Sequence, residues 1–423
     1  MSSALPSYDE AAALVAACAA QLGRSRRSAE CVELGQAAGR VLARPLVADC
    51  DQPPFARSTR DGFACRAVEA SADKRLNLAG FTHAGEVPSG PLPPGAAWEI
   101  MTGAPVPAGA DAVVMLEHVE VIEGQLRLLP SRKVTPGENI VAQGAQARKG
   151  DSLLPAGILL KPAQIALAAA CGCAALDVFL RPCVAILATG DELVSVESSP
   201  APGQIRNSNG PMLAAMVAAA GGEPWLLPAA ADNAQALDAA LAQAAEADLL
   251  LISGGVSAGK FDLVEPALAR AGARFHFTGV RIQPGKPLVF GELPRSRVGV
   301  NQNEHGTKCF FGLPGNPVSS AVTFLLFAAP VLAALAGSLE PGTRFALARL
   351  ASTTGKHGKP GLTRFLPAHC DFGATAGQLP EVALLPSQGS GDLAALARAN
   401  CFFVVPEEAH RLGKGAIVRI LLF

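Results

Sequence analysis

An excess of charge of either sign is missing from this chain of 423 residues. Its 35 Lys and Arg stand against 36 Asp and Glu, for a formal net charge of -1. That balance excludes a general polyanion binder, and no nucleic-acid partner is expected. Charged residues make up only 17% and hydrophobic ones 50%, which excludes a disordered chain. No basic segment precedes the first apolar stretch, MSSALPSYDEAAALVAACAA, where Asp9 and Glu10 stand instead. The stretch predicts an amphipathic helix rather than a signal peptide, and hence a cytoplasmic protein. Metal-ligand spacing is also missing. Of ten cysteines only Cys171 and Cys173 are close, as C-x-C without a second pair, and the seven histidines show no ligand spacing. Structural zinc and a disulfide framework are therefore not expected. Neither GxGxxG nor GxxxxGK followed by Ser or Thr occurs, so the ordinary nucleotide motifs are absent.

One long apolar run is present. Val318–Gly337 carries no charge over twenty residues, enough to span a bilayer. Pro330 interrupts it and soluble-looking sequence flanks it, so a buried helix packed on a sheet, and no membrane partner, is the expectation.

Along the chain, residues 8–45 read as helix and helical sequence returns at Lys161–Ala175, so the two stretches are expected to pack together. Between them, short apolar runs cut by Pro and Gly indicate an inserted β-rich module. From Pro182, apolar strands alternate with amphipathic helices, which predicts a parallel sheet covered on both faces. Beyond Pro341 the texture is again β, suggesting a small barrel or sandwich. The fold class expected is multidomain α/β. Its parts are a discontinuous helical domain (1–45 plus 147–181), the inserted β-rich module (46–146), a three-layer α/β domain (182–338) and a terminal β domain (339–423).

Three strand ends of the α/β region carry turns with chemical content. ATGDEL places Gly190 in the turn and Glu192 at the sheet edge. ISGGVSAGKFD offers Gly254, Gly255, Ser257 and then Asp262 ahead of a helix. GLPGNPVSS contributes Gly315, Asn316, Pro317 and Ser319. Glycines let backbone N–H groups approach a ligand, and each following helix points its positive end at the same place, which suits phosphate or another oxyanion. Carboxylates among such turns would repel an anion unless a cation sits between, so Glu192 and Asp262 suggest Mg²⁺ bridging a phosphate. Lys286, between Gly285 and Pro287, is a cation on a stiff turn flanked by apolar strand. Asp61 before Gly62 and Thr102 before Gly103 mark two further turns in the inserted module.

Taken in order, TRDGFA, MTGAPVPAGADAVVM, PGENI, ATGDEL, GQI, SGGVSAG, PGKP and GLPGNPVSS resemble the molybdopterin molybdenumtransferase family, MoeA and the gephyrin E domain, over about residues 8–420. The resemblance implies a molybdopterin-binding α/β domain, a C-terminal β-barrel, and a homodimer whose site lies between the α/β domain of one subunit and the β module of the other. Asp61 and Thr102 would then reach Glu192 and Asp262 across the interface. The implied reaction inserts molybdate into adenylylated molybdopterin, with Mg²⁺-dependent cleavage of the pyrophosphate and release of AMP. The implied partners are an adenylylating enzyme upstream and molybdoenzymes or their chaperones downstream. Lys286 and Ser319 would attract molybdate, and Ser390 aligns with a serine near that oxyanion.

The chain departs from the family pattern at several charges. Gln283 replaces the first lysine of KPGKP, Gln146 and Asn207 replace acidic residues, and the GRxEF pattern reads Gly361-Leu362-Thr363-Arg364-Phe365. Two other roles stay open for such a sequence: a paralogue that binds molybdopterin and delivers it to a molybdoenzyme without inserting metal, and a scaffold.

Overall fold

The computed structural model describes residues 5–25, 28–256, 263–295, 306–340, 342–355, 361–373, 377–408 and 411–423. Strands that are apolar at every position need cover on both faces. The sheet of the α/β domain supplies such strands. Its order is Glu223–Leu226, Cys183–Ala188, Leu249–Ser253, Thr307–Leu313, Val289–Pro294, Arg274–Phe277. Successive side chains enter opposite cores: Val184, Ile186, Leu249, Leu251 and Phe311 one, Ala185, Leu187, Leu250, Ile252 and Phe310 the other. The first four strands are parallel, and Val289–Pro294 and Arg274–Phe277 add an antiparallel edge. Asn209–Ala219 and the long apolar helix cover one face, and Ala234–Gln243 and Val264–Arg270 cover the other.

The long helix, Pro317–Leu335, is long and apolar enough to cross a membrane. In the structure Val318, Val322, Phe324, Phe327, Val331 and Leu332 are buried in the domain core. A π-turn at Phe324–Ala328 precedes Pro330, where the missing N–H interrupts the ladder.

The helix expected over residues 8–45 is shorter and packs elsewhere. It ends at Ser25, and Ala29–Glu33 is a strand paired antiparallel with Ala175–Phe179. Gly35 and Gly39 weaken helix beyond that point, Gly39 having φ +74°. Ala11, Val15, Cys18, Ala19 and Leu22 recur at helical spacing, and this stripe joins the α/β core with Phe327 and Leu335. A side chain at Gly23 would stand 2.7 Å from the Ala334 carbonyl oxygen, so the two helices approach closely. The helix Pro162–Ala170 sits in a separate cluster with Leu42, Leu46, Leu176 and Val178. Of residues 8–45, Ala37 and Leu42 therefore pack with Pro162–Ala170 as expected, whereas the helix Tyr8–Ser25 does not: the larger apolar partner captures it.

The inserted module is a six-stranded mixed sheet, ordered Ala112–Met115, Gly62–Cys65, Ala96–Ile100, Arg75–Thr82, Gln125–Leu128, Val119–Ile122. In the last domain Thr363–Asp371, Glu381–Leu384, Phe345–Leu350, Ile417–Leu422 and Cys401–Val405 pair in a closed ring, a barrel without open edges. Ile282–Gln283, just after the α/β sheet's edge strand, pairs parallel with Thr363–Arg364 and ties the two domains together.

Lys308, at the start of its strand, is 3% exposed. Its ammonium donates to the carbonyls of Ala244 and Ala245, the latter at 3.0 Å. Burial first, and the Arg295 charge second, push its pKa down from 10.5 to about 8. The unfolded chain therefore binds the extra proton between pH 8 and 10.5, and the sign follows: stability rises with pH through that window. Urea unfolding of the wild type relative to Lys308→Met is expected to gain about 2 kcal/mol between pH 7.5 and 9.5. A difference that does not move with pH would contradict the buried charge.

Candidate functional site

Parallel strands put all their carboxyl ends on one edge of the sheet, and a ligand site is expected outside that edge. There the turns after Cys183–Ala188, Leu249–Ser253 and Thr307–Leu313 converge on a cleft of about 810 Å³. Gly190, Glu192, Gly254, Gly255, Gly315, Asn316 and Pro317 line it. The Thr189 N–H donates to the Ser253 carbonyl at 3.0 Å and the Gly254 N–H to the Leu313 carbonyl at 3.1 Å, so each turn is bound to the next. Gly254 has φ +97°, and a Cβ there would lie 2.5 Å from the Thr189 carbonyl oxygen. At Gly190 a Cβ would fall 2.6 Å from the Glu192 carboxylate, which folds over this glycine.

Asn209, missed in the sequence, fastens the edge. Its Nδ2 donates to Ser253 Oγ at 2.8 Å and to the Gly315 carbonyl at 2.7 Å. The helices beginning at Asn209 and Pro317 both open on the cleft. Among the described residues, Thr189 Oγ1 and Asn209 Oδ1 are buried polar atoms without a hydrogen-bond partner, and both residues line the cleft. Such atoms fit a ligand that brings its own donors and acceptors.

Among the described residues two carboxylates face this cleft, Glu192 and Asp232. Burial, then the Asp191 and Glu192 charges, raise the Asp232 carboxyl above its ordinary range. Asp232 lies after the strand Glu223–Leu226 in an alanine-rich loop, with nothing local to mark it. Ser257 and Asp262 lie outside the described residues.

A second cleft, of about 670 Å³, shares Pro287, Pro314 and Asn316 with the first. Gln283, Gly285, Lys286, Ser319, Leu362, Arg364 and Ser390 line it. Gly285 has φ +112°, and a Cβ there would meet Thr323 Cγ2 at 2.6 Å, so the turn that presents Lys286 needs glycine. Asn316 Nδ2 donates to Ser390 Oγ at 2.9 Å, and the Val318 N–H to the Ser390 carbonyl at 3.0 Å, which draws the barrel loop onto the third turn. Ser320, the next residue, donates its hydroxyl to the Pro314 carbonyl at 2.5 Å and closes the turn.

Asp61 and Thr102 line neither cleft of this chain. They bond each other: the Thr102 N–H and hydroxyl donate to Asp61 Oδ1 at 2.6 and 2.8 Å. The backbone N–H, then the hydroxyl, hold the exposed Asp61 carboxyl below its usual range. A different group, unmarked by spacing, brings together Cys18, His276 and Glu292. His276 Nε2 stands 3.6 Å from Cys18 Sγ and 3.1 Å from Glu292 Oε2, on the ring face of Phe290 and outside both clefts.

Three family descriptions match the chain in succession: the MoeA N-terminal region (domain I and II) over 6–172, a probable molybdopterin binding domain over 185–334, and the MoeA C-terminal region (domain IV) over 349–423. A molybdopterin molybdenumtransferase of Nostoc sp. is 35% identical over 410 residues, covering 94% of this chain and 89% of the relative. One from Bacillus subtilis is 35% identical over 402 residues, covering 93% and 89%. The crystal structure of a molybdopterin biosynthesis moeA protein from Pyrococcus horikoshii superposes with a TM-score of 0.79 at 28% identity, over 99% of this chain and all of that one.

Proposed function

The chain belongs to the molybdopterin molybdenumtransferase family of molybdenum cofactor biosynthesis, and from that premise we propose that it inserts molybdate into adenylylated molybdopterin with release of AMP. The observation that carries this reading is the junction of the two clefts through Pro287, Pro314 and Asn316. A pterin phosphate and pyrophosphate fit the glycine turns and helix starts of the first cleft. A tetrahedral oxyanion fits the cation and hydroxyls of the second, so the two reactants meet at Asn316.

The backbone N–H groups of the turns and the Thr189 hydroxyl hold phosphate oxygens, and Lys286, Ser319 and Ser390 hold molybdate beside them. Attack on phosphorus gains chiefly from such positioning and from charge neutralisation, so no activated nucleophile is needed. Oxygen donors from carboxylates suit Mg²⁺. Glu192 and Asp262, with Asp232 at the same edge, would hold that ion, which supplies positive charge at the pyrophosphate.

Asp61 and Thr102, mutually bonded and exposed, suit the rim of a site completed by a second copy of the chain, as a homodimer would arrange them. Chains carrying Asp61→Ala and chains carrying Glu192→Gln, each inactive alone, are expected to regain molybdenum cofactor formation when unfolded and refolded together. Mixtures as inactive as their components would remove the shared site.

A further inference from the structure

Cys18, His276 and Glu292 stand on three elements that the fold brings together. Cys18 belongs to the apolar stripe of the first helix, and His276 and Glu292 lie on the antiparallel edge strands of the α/β sheet. Register between those strands passes from Phe275 opposite Gly291 to Phe277 opposite Phe290, so His276 is the extra residue of a β-bulge. A bulge re-aims a side chain. Here the imidazole stacks on Phe290, 5.2 Å between ring centres, and Phe290 belongs to the core on which the first helix docks.

The separations of the three polar atoms are those of metal ligands. Bonds of about 2.3 Å to sulfur, about 2.0–2.1 Å to nitrogen and about 2.0–2.2 Å to oxygen, at tetrahedral angles, put S and N about 3.6 Å apart and N and O about 3.4 Å apart. Cys18 Sγ stands 3.6 Å from His276 Nε2, which stands 3.1 Å from Glu292 Oε2. All three atoms lie within 4.8 Å of one another. Charge agrees with distance. A thiolate and a carboxylate cancel a divalent cation, and a neutral imidazole adds nothing, so the loaded cluster suits a buried place. Cys18 is buried, while the side chains of His276 and Glu292 keep 11 and 14% exposure, which gives an ion and a water ligand a way in. The Arg274 guanidinium, 3.9 Å from the same Glu292 oxygen, is 78% exposed and has solvent to turn into when an ion takes its place.

We propose that Cys18, His276 and Glu292 hold one divalent transition-metal ion of the zinc type, with water as fourth ligand. Thiolate and imidazole donors select zinc over magnesium or calcium. The three residues line neither cleft, so the ion is structural. It pins the first helix to the edge of the α/β sheet, joining residues 258 positions apart. Ligands placed singly on three elements escape any count of Cys and His spacing. The thiol proton passes to solvent as the ion binds.

The test is titration of Co²⁺ into the metal-stripped full-length protein, followed by absorbance, with Zn²⁺ as competitor. One equivalent is expected to give a thiolate-to-cobalt charge-transfer band in the near ultraviolet together with the visible bands of a tetrahedral site, all removed by Zn²⁺. Cys18→Ser is expected to lose the charge-transfer band. Glu292→Gln, which keeps the side-chain shape, is expected to weaken Co²⁺ binding at least tenfold and covers the case in which Cys18→Ser does not fold. Zn²⁺ should raise the thermal unfolding midpoint of the unaltered protein and leave that of Cys18→Ser unmoved. A full charge-transfer band in a folded Cys18→Ser, or unchanged affinity in Glu292→Gln, would assign the ion to another cysteine and overturn the proposal. Absence of the band from the unaltered protein would overturn it as well.

Discussion

Glu192→Gln is expected to lower AMP release at least 100-fold while adenylylated molybdopterin stays bound, the size of effect seen when one pre-placed electrostatic group is removed from a developing charge. The substitution keeps the shape of the side chain, which matters because the carboxylate lies over Gly190, 2.6 Å from where a Cβ would be. What changes is the charge at a cleft edge that Asp232 also lines. The Mg²⁺ concentration for half-maximal rate should rise as well, since one of its anionic oxygens is lost. Titration of Mg²⁺ at saturating substrate reads both effects. Near-normal AMP release with unchanged Mg²⁺ dependence would remove Glu192 from the chemistry.

Gly254→Ala is expected to destabilise the fold by roughly 3 kcal/mol or more and to abolish detectable binding of adenylylated molybdopterin. Two causes add. The residue holds φ +97°, which a Cβ makes unfavourable, and that Cβ would sit 2.5 Å from the Thr189 carbonyl oxygen, a backbone atom held by the adjoining strand. The only relief is to spread the first and second turns, and that opens the anion cradle. Gly315→Ala is the control in the same cleft. Its nearest contact would be the Gly254 Cα at an ordinary 3.6 Å, so thermal unfolding should shift little and binding should survive. Equal behaviour of the two variants would contradict the strain at Gly254.

The sheet and its turns were legible because strands buried on both faces are continuous apolar runs, and a glycine pair or a Gly-Asn-Pro after such a run places the turn at the ligand edge. Gly190, Glu192, Gly254, Gly255, Gly315, Asn316 and Pro317 meet in one cleft, and Lys286, Ser319 and Ser390 in the adjoining one. Less legible were relations between residues far apart in the chain. Asn209 reaches Gly315 across 106 positions, and Arg364 reaches Gln283 across 81. In each case the local sequence shows an ordinary polar residue, and only the tertiary fold gives it a partner: the convergence of the strand-end turns for Asn209 and strand pairing for Arg364. The packing of the first helix was illegible for a related reason: Ala11, Val15, Cys18 and Ala19 carry helical spacing, but spacing does not announce which apolar surface will take the stripe. Asp61 and Thr102 were marked by their turns, and within one chain they satisfy each other.

AMP release from adenylylated molybdopterin and Mg²⁺ at graded molybdate tests most directly whether the joined clefts bring the two reactants together. Release that rises with molybdate and saturates, in step with molybdenum cofactor formed, is the expected result. Tight binding of adenylylated molybdopterin with no AMP at any molybdate concentration would contradict it, and the chain would then be a carrier of the pterin rather than the enzyme that loads it.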